Sequence, residues 1–200
     1  PGALALVAAT GARCLGPAVP DDGLQDESWQ ADRLLAEGDR VDCGGVSLQV
    51  IETPGHVGNH LCYLSEGGLL FTGDHLIQGS TVVIAPPSGS MQAYFASLRK
   101  LQHRGITRMA PGHGDVIGDP EATLSQTLAH RQKREDKVLE ALSSDAQPLA
   151  ILVKDVYDDV PEFLHGVAQF SLQAHLIKLA EDGPRKPVKA GTESDCAASW

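Results

Sequence analysis

Apolar positions along the chain fall into short alternating runs and longer helical stripes. Val46-Ser47-Leu48-Gln49-Val50-Ile51 alternates with period two and predicts a strand, entered through a tight turn at Asp42 to Gly45. His60 to Leu64 and Leu69 to Thr72 predict a hairpin about the turn Ser65 to Gly68. Met91, Tyr94, Phe95, Leu98 and Leu101 share one face of a helix over 91–103. Ile106 to Ala110 predicts a short strand. Asp119 as N-cap and Pro120 at the first turn open a long helix over 121–143. Strands alternating with helices in this way predict an α/β protein.

The two ends read differently. Gly2 to Thr10 suits a short buried helix of Ala and Leu, stopped by Gly11, with a brief strand at Ala12 to Leu15. Pro17, Pro20 and Asp21-Asp22-Gly23 mark 16–30 as a loop. Beyond Ser144 the pattern becomes helical over 149–160 and 161–182. An apolar face there carries Phe163, Val167, Phe170, Ala174 and Ile177. A polar tail follows over 183–200. This divides the chain into a domain over 1–144 and a smaller helical domain over 145–200.

Composition narrows the function classes. The 200 residues are 42% hydrophobic, enough for one good core and a small appendage. A formal charge of −10 argues against broad electrostatic binding to nucleic acid or anionic membrane. No apolar run reaches membrane-span length, so no membrane partner is expected. Cys14, Cys43, Cys62 and Cys196 are irregularly spaced, which suits free thiols in a reducing cytoplasm.

Three glycine-framed turns carry the candidate chemistry. They are Thr53-Pro54-Gly55-His56, Phe71-Thr72-Gly73-Asp74-His75 and Ala110-Pro111-Gly112-His113-Gly114. Each follows a predicted strand, and each taken alone is also an ordinary turn. His56, Asp74 and His113 lie 18 and then 39 residues apart, so only a fold that gathers strand ends unites them. Two imidazoles and a carboxylate suit Zn²⁺, Mn²⁺ or Fe²⁺.

The order TPGH, TGDH, PGHG resembles the third, fourth and fifth metal-binding motifs of the metallo-β-lactamase superfamily. The stretch from Gly73 to Met91, His130-Arg131 with Arg134-Glu135, and the helical tail are similar to the bacterial relatives of β-lactamase-like protein 2. The resemblance covers roughly residues 1–183. It implies the C-terminal part of an αββα sandwich followed by a small winged-helix-like domain. It implies a dinuclear zinc site in which His56 binds the first metal, Asp74 bridges both and also assists proton movement, and His113 binds the second. His60 and His75 have no direct ligand role in that pattern. The implied activity is hydrolysis of an ester, thioester or phosphodiester by a metal-bound hydroxide.

The family's H-x-H-x-D-H motif does not occur in this sequence, whose earliest histidine is His56. The chain alone is therefore expected to hold metal weakly and to be inactive, with part of its core left for a partner or a second copy to cover. The resemblance raises a small-molecule ester or thioester, or single-stranded RNA, as substrate; a non-catalytic binding remnant is the other reading. Arg131, Lys133, Arg134 and Lys137 are candidates for phosphate contact, or for a solvated helix face paired with Glu135 and Asp136. Arg185 to Lys189 is a candidate wing.

Overall fold

The computed structural model describes residues 2–20, 23–25, 30–142 and 147–183. Gly2–Thr10 forms α1, and Leu15–Gly16 (β1) pairs in parallel with Arg33–Leu34 (β2). A five-stranded sheet follows in the order β3-β4-β5-β6-β7. Its strands are Arg40–Cys43, Val46–Glu52, Leu61–Ser65, Leu69–Gly73 and Arg108–Pro111. Neighbours from β3 to β6 are antiparallel, whereas β6 and β7 run parallel. The parallel pair needs a crossover, which α2 (Met91–Leu101) supplies.

Strand β3 lies where only a turn is predicted. Arg40 to Cys43 carries little apolar signal because it is an edge strand. The chain reverses at Gly44-Gly45, both at positive φ (59° and 86°), which suits a two-residue hairpin loop.

One face of the sheet is dry. Ile51, Cys62, Leu70 and Met109 pack against Tyr94, Phe95, Leu98 and Leu101 of α2 and against Leu124. Leu124 belongs to α3 (Pro120–Ala141), whose Asp119 cap accepts from the Ala122 amide at 3.1 Å. Across the sheet's other face, Val50 pairs with Tyr63 and Tyr63 with Phe71, which is 42% exposed.

A second cluster joins Val138 of α3 to Leu152, Val153 and Val156 of α4 (Leu149–Val156) and to Leu172 and Leu179 of α5 (His165–Asp182). A 3₁₀ turn over Glu162–Leu164 leads into α5. The boundary expected near 144 falls in 143–146, and Arg185 to Lys189 and Cys196 also lie outside the described residues. Among the described residues, Cys14, Cys43 and Cys62 are free thiols, and burial pushes Cys62 up to about 12. No helix among them is long and apolar enough to cross a membrane.

Three expectations are corrected. Helix α1 buries none of its residues, because its apolar side chains point all round and nothing described packs across it. The expected apolar face with Phe163, Val167, Phe170 and Ile177 points outward, and only Ala174 of that set is buried. Helix α5 instead buries Ser171, Leu172, His175, Lys178 and Leu179, because polar partners wait for its polar residues. The basic cluster of α3 does not form one face: Lys133 is exposed and Lys137 pairs with Asp158. Arg131 and Arg134 are buried, and Glu135 turns inward to His175 and Lys178.

Candidate metal centre

Strand direction decides which residues meet. Strands β4, β6 and β7 run the same way, so Thr53, Asp74 and Gly112 all emerge at one edge of the sheet. At that edge Gly73 pairs with Pro111, and the Gly112 amide donates to the Gly73 carbonyl at 2.8 Å. This register sets Asp74 beside His113, with Oδ1 3.5 Å from Nε2. Both stay open to solvent, His113 at 76% and Asp74 at 44% side-chain exposure.

Two motif glycines stand close to their neighbours, Gly112 against a movable side chain and Gly55 against backbone. A Cβ at Gly112 would stand 2.7 Å from Oδ1 of Asp74. At Gly55, where φ is +148°, a Cβ would stand 2.5 Å from the Tyr94 Cα of α2. The Pro-Gly turn thus lets the loop lie on α2 while carrying His56 outward.

His56 is half-buried, and its Nδ1 lies 2.7 Å from the Val83 carbonyl. A carbonyl only accepts, so Nδ1 carries the proton and the lone pair sits on Nε2. That is the tautomer a metal ligand needs. His60 is held by Thr53, with Nδ1 2.8 Å from Oγ1. Burial and then the neighbouring His56 lower His60 to about 4, against the opposing pull of Asp74. His75 is fully buried, its ring 5.0 Å from the Tyr94 ring and 5.8 Å from that of His60. Burial and then the charges of His60, His56 and Lys100 lower it to about 3. Neither ring nitrogen of His75 has a hydrogen-bond partner among the described residues.

The donor chemistry fits a divalent ion. Asp74 and His113 face each other, and the turn that carries His56 follows β4 at the same edge. Among the described residues, no group of three or more His, Cys, Asp or Glu closes around one point. A cleft of about 410 Å³ between Pro86, Met91 and the α5 residues Ala174, Ile177 and Lys178 is not lined by His56, Asp74 or His113.

Sequence reasoning missed the groups behind His56. The Val82 and Val83 carbonyls and the Ile84 amide are backbone atoms, and Ser171 lies 87 residues beyond Ile84. No spacing rule reaches them.

Turns bearing His56, Asp74 and His113 thus end at one edge of a mixed α/β sheet. The chain belongs to the metallo-beta-lactamase superfamily, which residues 13–113 match, and residues 149–185 match the beta-lactamase associated winged helix domain. The sheet with its helices is therefore part of the αββα sandwich, followed by the winged-helix domain. A beta-lactamase-like protein 2 homolog of Drosophila melanogaster is 30% identical over 163 residues, 80% of this chain and 54% of the fly protein. An atrochrysone carboxyl ACP thioesterase of Aspergillus aculeatus is 29% identical over 191 residues, covering 86% and 60%. The crystal structure of a metallo-beta-lactamase family protein from Thermus thermophilus matches with a TM-score of 0.67 at 25% identity, covering 79% and 53%. The chain spans about half the length of the curated relatives it matches.

Proposed function

We propose that the chain contributes His56, Asp74 and His113 to the metal centre of a hydrolase acting on a thioester or related ester. The observation that carries this reading is the Asp74–His113 pair, built by the parallel register of β6 and β7 and left open to solvent. His56 offers Nε2 because Nδ1–H is committed to Val83. Asp74 follows β6, which lies between the strands that carry the other two, and would be the carboxylate ligand. A divalent ion held by these residues would supply Lewis acidity and would lower the pKa of a bound water. Zn²⁺ is the ion first to test, with Mn²⁺ and Fe²⁺ behind it. Three donors over two metal positions give weak binding by this chain by itself, since a catalytic zinc normally takes three protein ligands.

The thioester is favoured over RNA for two reasons. The fungal relatives are named as acyl-carrier-protein thioesterases. The arginines of α3 that would contact phosphate are engaged inside the protein: Arg131 donates to the Val82 carbonyl and Arg134 to that of Val156.

The test is Zn²⁺ binding by calorimetry alongside hydrolysis of acyl thioesters and single-stranded RNA by the protein as it is made in the cell. Asp74→Ala and His113→Ala should each weaken Zn²⁺ at least about tenfold, since each removes a donor. They should abolish thioester turnover. Unchanged Zn²⁺ affinity in both variants sinks the ligand assignment. RNA cleavage without thioester turnover replaces the substrate.

A further inference from the structure

The backbone against which His56 leans belongs to no strand. Residues 81–85 form an irregular segment, so no sheet ladder fixes the direction of its peptide groups. Three consecutive residues there are instead tied to three different parts of the fold. The Val82 carbonyl accepts from Arg131 of α3. The Val83 carbonyl accepts from His56 Nδ1 at 2.7 Å. The Ile84 amide donates to Ser171 Oγ of α5 at 3.1 Å. Arg131 is 3% exposed and Ser171 5%, so neither tie is shared with bulk water.

We propose that Arg131 and Ser171 are positioning residues for His56, acting through the backbone of residues 82–84. The inference rests on His56 being a metal ligand. A neutral imidazole has two tautomers of similar energy, and only a fixed acceptor at Nδ1 selects the one with its lone pair on Nε2. Fixing the peptide on either side of Val83 fixes that acceptor. Ser171 lies within the winged-helix match, so the smaller domain takes part in setting the geometry of the metal edge. Arg131 reinforces the same edge from below. Its guanidinium lies 5.3 Å from the Tyr94 ring centre, and the Tyr94 hydroxyl donates to the backbone carbonyl of His75, next to Asp74, at 2.9 Å.

A serine that merely satisfied a buried amide would affect stability alone. The test therefore reads the His56 tautomer by long-range ¹H–¹⁵N NMR of the metal-free protein, assigned through the signal lost in His56→Gln. Zn²⁺ affinity is read beside it. The unmodified protein should show the Nδ1–H tautomer. In Ser171→Ala about a tenth or more of His56 should shift to the other tautomer, and Zn²⁺ should bind about tenfold more weakly, as when the partners behind a ligand are lost. Ser171→Thr, which keeps the hydroxyl, should restore both, and Arg131→Gln should follow Ser171→Ala. If Ser171→Ala fails to fold, Ser171→Cys, with its weak sulfur acceptor, is read in its place. An unchanged tautomer in the Ser171 variant overturns the proposal, whatever the loss of stability. Should His56→Gln leave Zn²⁺ affinity intact, the ligand reading fails by itself, and the tautomer still decides the positioning claim.

Discussion

Two regions of this molecule use the same residue types to opposite ends. At the strand-end edge, Asp74 and His113 stand in solvent with a single 3.5 Å approach between them. In the seam between α3 and α5, Glu135 and His175 are fully buried and Lys178 is 7% exposed. There Glu135 accepts from Lys178 at 2.8 Å and faces His175 at 3.5 Å, and Lys178 also reaches Asp182 at 2.7 Å. Burial pushes the Glu135 carboxyl up, yet the hydrogen bonds from His175 and Lys178 outweigh it and hold it below the usual range. Burial lowers His175 in spite of Glu135. Charged clusters that satisfy one another in a dry interior fix structure. Donors held apart at a wet edge keep lone pairs for a ligand. The distinction lies in burial and partnering, and residue identity does not reveal it.

The strongest way to break this comparison is at the seam. Glu135→Ala leaves the buried Lys178 with Asp182 as its counter-charge and removes a charged hydrogen bond from a dry seam, which should cost about 3 kcal/mol. Urea unfolding measures it, and a loss under about 1 kcal/mol would make the seam as tolerant as the edge.

Acid sharpens the boundary between the regions. His75 is buried under the edge with its proton affinity lowered from 6.5 to about 3. The unfolded chain therefore takes up a proton that the folded chain refuses. This contribution to stability is full above pH 6.5 and is lost as pH falls towards 3. Between pH 7 and 5 the loss is about 2 kcal/mol. His75→Phe should flatten the pH dependence by that amount, and an unaltered slope would place His75 among the solvated groups.

The smallest expected effect lies at the edge. Asp74→Ala and His113→Ala should each change the stability of the metal-free protein by less than about 0.5 kcal/mol, as exposed positions do. Thermal unfolding in the presence of chelator measures this. A larger loss from either variant would mean that the pair holds the fold together.

The main elements were legible because their patterns are local. The stripe Met91, Tyr94, Phe95, Leu98 and Leu101 is buried as its spacing predicts. The Asp119-Pro120 start of α3 holds, and so does the hairpin of β5 and β6. The edge strand β3 was not legible, because most of its residues face water and leave no apolar run. The α3 arginines misled for a related reason. On a helix wheel they resemble a solvated charged face, and only the packing of α4 and α5 reveals that carbonyls and Asp159 await them.

The sequence by itself determined that TPGH, TGDH and PGHG are stiff turns presenting His56, Asp74 and His113, because glycine and proline act over a few bonds. It also determined the α/β class, through the alternation of periods. Only the tertiary structure decided that these turns share one edge, since that depends on the direction of β4, β6 and β7. It alone decided that α5 turns Ser171, His175 and Lys178 inward and leaves Phe170 and Ile177 outside. Burying Ser171 or Lys178 is costly without a hydrogen-bond partner, and those partners lie up to 87 residues away in the chain.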